Sequence, residues 1–116
     1  MDPLIHSLLT EIRRGNLTLA VLSQLRSPQY GYSLVQLLKE LGVVIEQSTL
    51  YPLLRRLEKQ KLVTSFWDKS DKRPRKYYQL SGYGEEVFHQ LRKEWMKNTK
   101  KLYGVLSEGE GEHEFD

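Results

Sequence analysis

Apolar and polar residues follow a helical period over most of the first half of the chain. Residues 4–12 carry apolar side chains every three or four positions, and they follow Pro3, which favours the first turn of a helix. Gly15-Asn16 interrupts this pattern. The almost wholly apolar residues 17–25 therefore predict a second, short helix at the centre of the domain, and Pro28 separates it from the next segment.

Two further segments have the same period. Residues 31–42 predict a helix with Gly42 as its C-cap. Residues 48–60 predict another helix, whose four leucines fall on one side at about 100° per residue while polar and basic residues fall on the other. Ser48 or Thr49 can cap its start, since a side-chain hydroxyl can accept a hydrogen bond from a free backbone N–H there.

The period then changes to that of β-strands. Residues 62–67 and 75–80 are rich in β-branched and aromatic side chains, and the polar residues 68–74 lie between them. This pattern predicts a two-stranded hairpin with a long basic tip. A last helix is predicted over residues 82–106, with Ser81 as its cap.

Helices followed by a basic hairpin are typical of a winged helix-turn-helix domain. The predicted fold class is mainly α with a small β-hairpin. The winged helix-turn-helix domain with its N-terminal helix takes residues 1–81, and a C-terminal dimerisation helix takes residues 82–106. Residues 107–116 hold five acidic groups and little apolar surface, and they predict a disordered tail.

Composition narrows the class of protein. At 116 residues, 39% of them apolar and 28% charged, the chain fits one small globular domain. It has no cysteine, which excludes disulfides and thiolate zinc sites. No apolar run approaches the length of a membrane span, and the first residues lack the layout of a signal peptide. We therefore expect a cytoplasmic protein without a membrane partner.

Basic residues are concentrated in one part of the chain. The net charge is +3, but residues 1–106 hold all 18 basic groups against 10 acidic ones, a net charge of +8, and nine of the 18 lie between Arg55 and Lys76. A solvated face explains most charge runs, yet this clustering favours a polyanion partner, and the winged helix-turn-helix pattern indicates that the polyanion is double-stranded DNA. The predicted DNA-binding residues are Gln47, Ser48, Thr49, Tyr51, Pro52, Arg55, Arg56, Lys59, Lys69, Lys72, Arg73 and Arg75.

The last helix carries an apolar stripe with a heptad-like spacing. Its first turns can pack on the same chain, but 25 helical residues extend about 37 Å, beyond the reach of a three-helix domain. The first helix has a stripe that also needs a cover, so we expect a homodimer. The predicted dimer-interface residues are Leu4, Leu8, Ile12, Phe88, Leu91, Trp95, Asn98 and Leu102.

Other classes of function are less well supported. The three histidines lack metal-ligand spacing, and no glycine-rich phosphate loop or nucleophile motif is present, so neither an enzyme nor a metal or other cofactor is expected. A winged-helix module that binds proteins without specific DNA binding is the main alternative, but such a module does not need a basic helix face and a basic hairpin tip. A basic membrane-surface protein is disfavoured because the basic residues lie on a turn and on a helix with a core face.

Several motifs in this order resemble the PadR-like transcriptional regulators. They lie between residues 16 and 95 and are Gly31-Tyr32, Thr49-Leu50-Tyr51-Pro52, Arg56-Leu57-Glu58, Leu62-Val63, Arg75-Lys76-Tyr77-Tyr78 and Leu80. The resemblance implies a homodimeric winged-helix protein, usually a repressor of a nearby operon. Lys61 departs from the family pattern, which commonly has glycine there; a lysine in a left-handed turn is costly.

Trp95 has two interpretations. In the small, multidrug-responsive branch of the PadR-like family, a tryptophan at the matching place lines a pore at the dimer interface, where flat aromatic molecules can stack. By this resemblance Trp95, Asn98 and Glu94 would bind a small aromatic effector. The alternative is an ordinary interface tryptophan, because tryptophan is enriched at interfaces for its area alone. Trp67 is interpreted as a packing residue at the base of the hairpin.

Overall fold

A computed structural model describes residues 1–108 and confirms the mainly helical fold with a small antiparallel sheet. Of the predicted tail, residues 109–116 lie outside the described residues. The elements in chain order are α1 (Pro3–Ser23), β1 (Gln29–Tyr30), α2 (Gly31–Glu40), α3 (Gln47–Lys59), β2 (Val63–Asp68), β3 (Arg75–Leu80) and α4 (Gly82–Ser107).

The first 23 residues form one helix, so the predicted break at Gly15-Asn16 is wrong. Asp2 caps α1 by accepting a hydrogen bond from the backbone N–H of Leu4, and Pro3 occupies the first turn as predicted. A glycine inside a helix costs about 1 kcal/mol relative to alanine. Here the helix continues because the residues after Gly15 pack on the core and on α4, and tertiary packing outweighs the local preference.

The core is formed where α1, α2, α3 and the sheet meet. The end of α1 contributes Val21 and Leu22, α2 contributes Leu34 and Leu38, and Phe88 joins them from α4. The remaining members are leucines of α3 and apolar residues of the connecting segments and strands: Leu25, Ile45, Leu50, Leu53, Leu54, Leu57, Leu62, Val63, Tyr78 and Leu80. No charged or polar side chain is buried among the described residues.

The sheet has three strands in the order β1-β3-β2, one more than the predicted hairpin. β2 pairs antiparallel with β3 from Val63↔Leu80 to Asp68↔Arg75, as predicted, and β1 adds on the other side of β3. β1 is only two residues long, too short to show a strand period in the sequence. Its Tyr30 contacts Tyr77 of β3 edge to face, with ring centroids 5.5 Å apart.

The backbone segments at the end of α3, the start of β2 and the start of α4 lie in close contact. Lys61 has φ 65°, so this lysine adopts the left-handed conformation that the sequence predicted for the turn. The hydroxyl of Ser81 donates to the Lys61 carbonyl and accepts from the Gly84 backbone N–H, which confirms Ser81 as the cap of α4. A Cβ on Gly84 would overlap the Leu62 carbonyl, so only glycine allows α4 to begin this close to β2.

The N-terminal half of α1 and the C-terminal half of α4 extend away from the core. The molecule measures 59 Å along its longest axis and 25 Å along its shortest. Leu4 is 64% exposed on α1 and Leu102 is 56% exposed on α4, and other apolar side chains beside them are also exposed. Among residues 1–108, no helix is both long and apolar enough to cross a membrane.

We expect Lys61→Gly to raise the free energy of unfolding by roughly 0.5–1 kcal/mol. A left-handed lysine costs about 1–2 kcal/mol, and the greater freedom of glycine in the unfolded chain offsets part of that gain. Chemical denaturation would measure the change. Lys61→Ala is the matched control, because it removes the same charge and keeps a Cβ at the strained position; a Lys61→Gly variant no more stable than Lys61→Ala would contradict the explanation.

Candidate nucleic-acid interface

α3 has a buried leucine face and an exposed polar face, as the period predicted. Four leucines of α3 are buried in the core. Tyr51 and Glu58 are half-buried on the flank of the helix nearest the sheet. The exposed positions are the remaining predicted DNA-binding residues of this helix: Gln47, Ser48, Thr49, Pro52, Arg55, Arg56 and Lys59.

The first turn of α3 differs from the prediction. Glu46, and neither Ser48 nor Thr49, is the N-cap, and its side chain makes no capping bond. The Ser48 hydroxyl contacts the Glu46 carboxylate at 3.5 Å. Pro52 is the sixth residue of the helix, beyond the first turn, so the Ser48 carbonyl lacks its usual i+4 N–H donor. The start of α3 therefore presents backbone groups and short side chains to the exterior.

Tyr51 connects α3 to the start of α2. A Cβ on Gly31 would overlap the Tyr51 ring, so the glycine and the tyrosine of the two motifs are complementary in shape. Tyr51 also lines a hollow with Trp67 and Lys76 of the sheet. Its half-buried ring thus helps to position α3 against α2, and its role in DNA binding stays a prediction.

Glu58 ties the end of α3 to the hairpin. Its carboxylate accepts a hydrogen bond from the Ser65 hydroxyl of β2, and it lies 3.7 Å from the Lys76 ammonium of β3. The Lys76 ammonium in turn lies 5.4 Å from the ring centroid of Tyr78. These contacts hold the hairpin in one orientation relative to the helix, as a protein needs if both are to meet one nucleic-acid surface.

The hairpin tip is basic and exposed. Asp68 begins the turn by accepting hydrogen bonds from the backbone N–H and the hydroxyl of Ser70, and these bonds lower the pKa of the Asp68 carboxyl. Lys69, Lys72 and Arg73 are all exposed in this turn. The structure therefore places these three predicted DNA-binding residues together at the tip of the β2–β3 hairpin, which is the wing of the winged-helix fold.

Arg75 and Trp67 lie on the two strands of the hairpin, next to the tip. The Arg75 guanidinium lies 4.6 Å from the ring centroid of Tyr30, and its hydrogen bond with Tyr77 raises the pKa of Arg75. Arg75 is thus held at the first residue of β3, opposite Asp68, on the sheet face that carries these tyrosines. Trp67 is 58% exposed, so its interpretation as a packing residue is wrong: it lies beyond the last buried pair of the sheet.

A separate hollow of about 270 Å³ lies between α1 and α4. Trp95 lines it and donates a hydrogen bond from its indole Nε1 to Asn16 Oδ1 at 3.0 Å. Glu94 and Asn98 do not line this hollow; Glu94 borders a different surface depression, beside Tyr83. The predicted effector set is therefore not brought together within one chain. Asn16, Arg92 and Ser23 supply the polar groups beside Trp95 instead.

The predicted dimer-interface residues differ in how much of each side chain is exposed. Phe88 is only 5% exposed because it packs in the core of its own chain, so it has little surface left for a partner. Trp95 is 42% exposed beside α1. Leu91, Asn98 and Leu102 are exposed on α4, as are the predicted residues Leu4, Leu8 and Ile12 on α1. Sequence reasoning missed Asn16 because local preference marks this residue as a helix break.

Comparison with known proteins agrees with this architecture. The model of the transcriptional regulator PadR-like family matches residues 18–90. A PadR family transcriptional regulator from Eggerthella lenta is similar at 42% identity with a TM-score of 0.83, covering 93% of this chain and 96% of that one. A PadR-like transcription factor from Bacteroides fragilis is 32% identical with a TM-score of 0.73, over 85% of this chain and 98% of that one.

A third similar structure is that of Bacillus subtilis PadR in complex with operator DNA. It is 29% identical with a TM-score of 0.59, over 64% of this chain and 45% of that one. The family match covers most of the present chain, including α2, α3 and the sheet. The chain therefore belongs to the PadR-like family of transcriptional regulators, whose members are not enzymes.

Proposed function

We propose that this protein is a homodimeric repressor that binds a two-fold symmetric operator in double-stranded DNA near its own gene. The observation that carries the proposal is the exposed basic surface formed by α3 and the wing tip, on elements that Glu58 holds together. An α-helix fits the major groove of DNA, and its neighbouring basic residues can neutralise phosphates. The operator complex of Bacillus subtilis PadR supports the same use of the fold here.

Two kinds of DNA contact are expected on this surface. Ser48 lies near the start of α3, where the first residues of a recognition helix contact base edges. Arg55 lies further along the helix, and Lys72 lies at the wing tip, where positive charges meet phosphates. The test of the proposal is a gel shift of the DNA upstream of the gene, with coding-region DNA of equal length as the competitor. Equal binding to both would contradict a specific operator.

Arg55→Ala and Lys72→Ala are each expected to weaken DNA binding and to lower the slope of log affinity against log salt by about 0.9, the value for one lost phosphate contact. Fluorescence anisotropy over a salt series would measure both. Lys100→Ala on α4 is the matched control, since it removes one exposed charge far from this surface. Ser48→Ala is expected to change the preference between base sequences and to leave the salt slope unchanged. Unchanged slopes for Arg55→Ala and Lys72→Ala would show that the surface is wrongly identified.

The dimer is proposed from the uncovered apolar residues of α1 and α4. These side chains form continuous stripes on the parts of both helices that extend from the core, and monomeric proteins seldom expose such patches. A second copy of the chain would cover both stripes at once through a two-fold axis. It would also place two α3 helices for the two half-sites of one operator.

Leu102→Asp and Leu8→Asp are each expected to shift the protein toward the monomer. A charge buried in an apolar interface weakens the dimer by about 1.4 kcal/mol or more, which is at least a tenfold rise in its dissociation constant. Analytical ultracentrifugation would measure the shift. Lys101→Asp is the control on the same helix, because this residue is already charged and exposed. Truncation before Phe88 would be a poorer test, since it removes a core residue. A dimer that both leucine variants leave intact would rule out this interface.

A flat aromatic effector is proposed to bind beside Trp95. The hollow between α1 and α4 is open, and its volume of about 270 Å³ lies just below the roughly 300–1,000 Å³ of ordinary ligand pockets. The partner chain would then complete the site, as in the small, multidrug-responsive branch of the family. A planar molecule on the indole would gain from burial of both surfaces, and a positive charge on it would add a cation–π attraction.

Planar cationic dyes or phenolic acids are expected to quench the Trp95 fluorescence. Trp67→Phe leaves Trp95 as the sole tryptophan, because the chain has two, and this variant isolates the signal. The same compounds should release DNA from the wild type. A ligand that binds one arrangement of the dimer more tightly shifts the protein toward that arrangement, and the spacing of the two α3 helices then no longer matches the operator. Trp95→Ala is the control. If the Trp67→Phe variant quenches no more than Trp95→Ala does, Trp95 is an ordinary interface residue.

A further inference from the structure

A second hollow, of about 190 Å³, lies between α1 and α3, on the other side of α1 from Trp95. Arg14 and Thr18 line it from α1, and Thr49, Pro52 and Arg56 line it from α3. None of the α1 residues in this hollow belongs to the DNA-binding surface predicted from sequence. The residues of α1 near Gly15 therefore lie beside α3, the proposed recognition helix.

Within residues 1–108, no acidic side chain offsets the positive charge of this hollow. Its polar lining consists of two arginines and two threonines, and no acidic residue of the described part of the chain is among them. The ion pairs of residues 1–108 are Arg26–Glu85 and Lys76–Glu58, so neither Arg14 nor Arg56 is paired with an acidic side chain there. Two like charges in one hollow repel each other, and an anion between them would relieve that repulsion.

Thr18 organises the site. Its hydroxyl accepts a hydrogen bond from the Arg56 guanidinium at 3.4 Å and donates one to the backbone carbonyl of Arg14, one turn earlier in α1, at 3.3 Å. The guanidinium of Arg56 is thereby drawn to α1, and this bond uses only part of its donor capacity. A guanidinium presents its donors in a planar fork that matches the oxygens of a phosphate, and two such groups can hold one phosphate from two sides.

The position of the hollow on α3 suits a DNA phosphate. At about 100° per residue, Thr49 and Arg56 lie on one flank of the exposed surface of the helix. Tyr51 and Glu58 lie on the opposite flank, toward the wing. A helix in the major groove has a phosphate backbone on each side. The wing can meet one of them, and the hollow beside α1 faces the other.

We propose that Arg14 of α1 and Arg56 of α3, the second held against α1 by the Thr18 hydroxyl, form a clamp for a DNA phosphate on the flank of α3 opposite the wing. The clamp makes α1 a DNA-contacting helix in addition to α3 and the wing. It rests on the proposed DNA-binding function and adds to it a contact that is independent of base sequence.

Arg14→Gln is expected to weaken DNA binding equally for a duplex from the region upstream of the gene and for a shuffled duplex of the same length. Arg14→Gln combined with Arg56→Gln is expected to lower the salt slope by about 0.9, because the two guanidinium groups share one phosphate. Arg13→Gln is the matched control, because Arg13 is an exposed arginine one residue away that does not line the hollow. Anisotropy over a salt series would measure each variant, with circular dichroism to verify that each is folded. The triple variant Arg14→Gln, Arg56→Gln and Lys72→Gln should lower the slope by about 1.8, since the clamp and the wing tip would hold different phosphates.

The hydroxyl link gives a second, independent measurement. Thr18→Val removes the hydroxyl and keeps the shape of the side chain, so it should weaken binding to both duplexes, whereas Thr18→Ser should bind like the wild type. Equal affinities for Arg14→Gln and Arg13→Gln, or equal affinities for the two threonine variants, would overturn the clamp while wild-type binding stands. A wild type that binds neither duplex would instead overturn the proposed function itself.

Discussion

Burial of the four leucines of α3 is the constraint on which the rest of this structure depends. Each buried leucine stabilises the fold by about 1.5–3 kcal/mol, and all four lie on one side of the helix. Rotation of α3 by one residue, about 100°, would expose leucines and bring Arg55 or Ser48 toward the core. The core therefore determines which residues α3 presents outward. Glu58 extends this control to the wing, because its contacts with Ser65 and Lys76 join the helix end to both strands.

Prediction from sequence succeeded where one period runs through many residues, and it failed where a short local signal competes with packing. The leucine pattern of α3 and the long period of α4 each repeat over several turns, so both helices were predicted within a residue or two. Gly15-Asn16 resembles a helix break by local preference, yet α1 continues because its second half packs on the core and on α4. β1 has two residues and no period at all. Ser48 resembles a cap by residue type, but Glu46 occupies that place.

The same distinction applies to the candidate site. A period indicates the face of a helix on which a residue lies, but it does not indicate which neighbour covers that face. Phe88 and Leu102 share one heptad stripe, yet the core covers Phe88 and leaves Leu102 exposed. The family resemblance groups Trp95 with Glu94 and Asn98, whereas the hydrogen-bond partner of its indole in the structure is Asn16, 79 positions away in sequence. Contacts between α1 and α4 depend on how the whole chain is packed, and no local pattern records them.

α1 connects all of the proposed surfaces, and its faces explain how they could communicate. Its N-terminal half carries the stripe proposed for the dimer, and Asn16 holds Trp95 on the side of α4. Thr18, two residues later and about 200° around the helix, holds Arg56 on the side of α3. A helix moves as a rigid element, so a ligand that pushes α1 away from α4, or turns one chain against the other, also displaces Arg14 and Thr18 relative to α3. Binding of an effector and of a DNA phosphate would then be coupled through two faces of one helix. A coupling of about 1–3 kcal/mol is typical of such regulation and alters affinity by roughly 5- to 150-fold, which is enough to decide whether an operator is occupied.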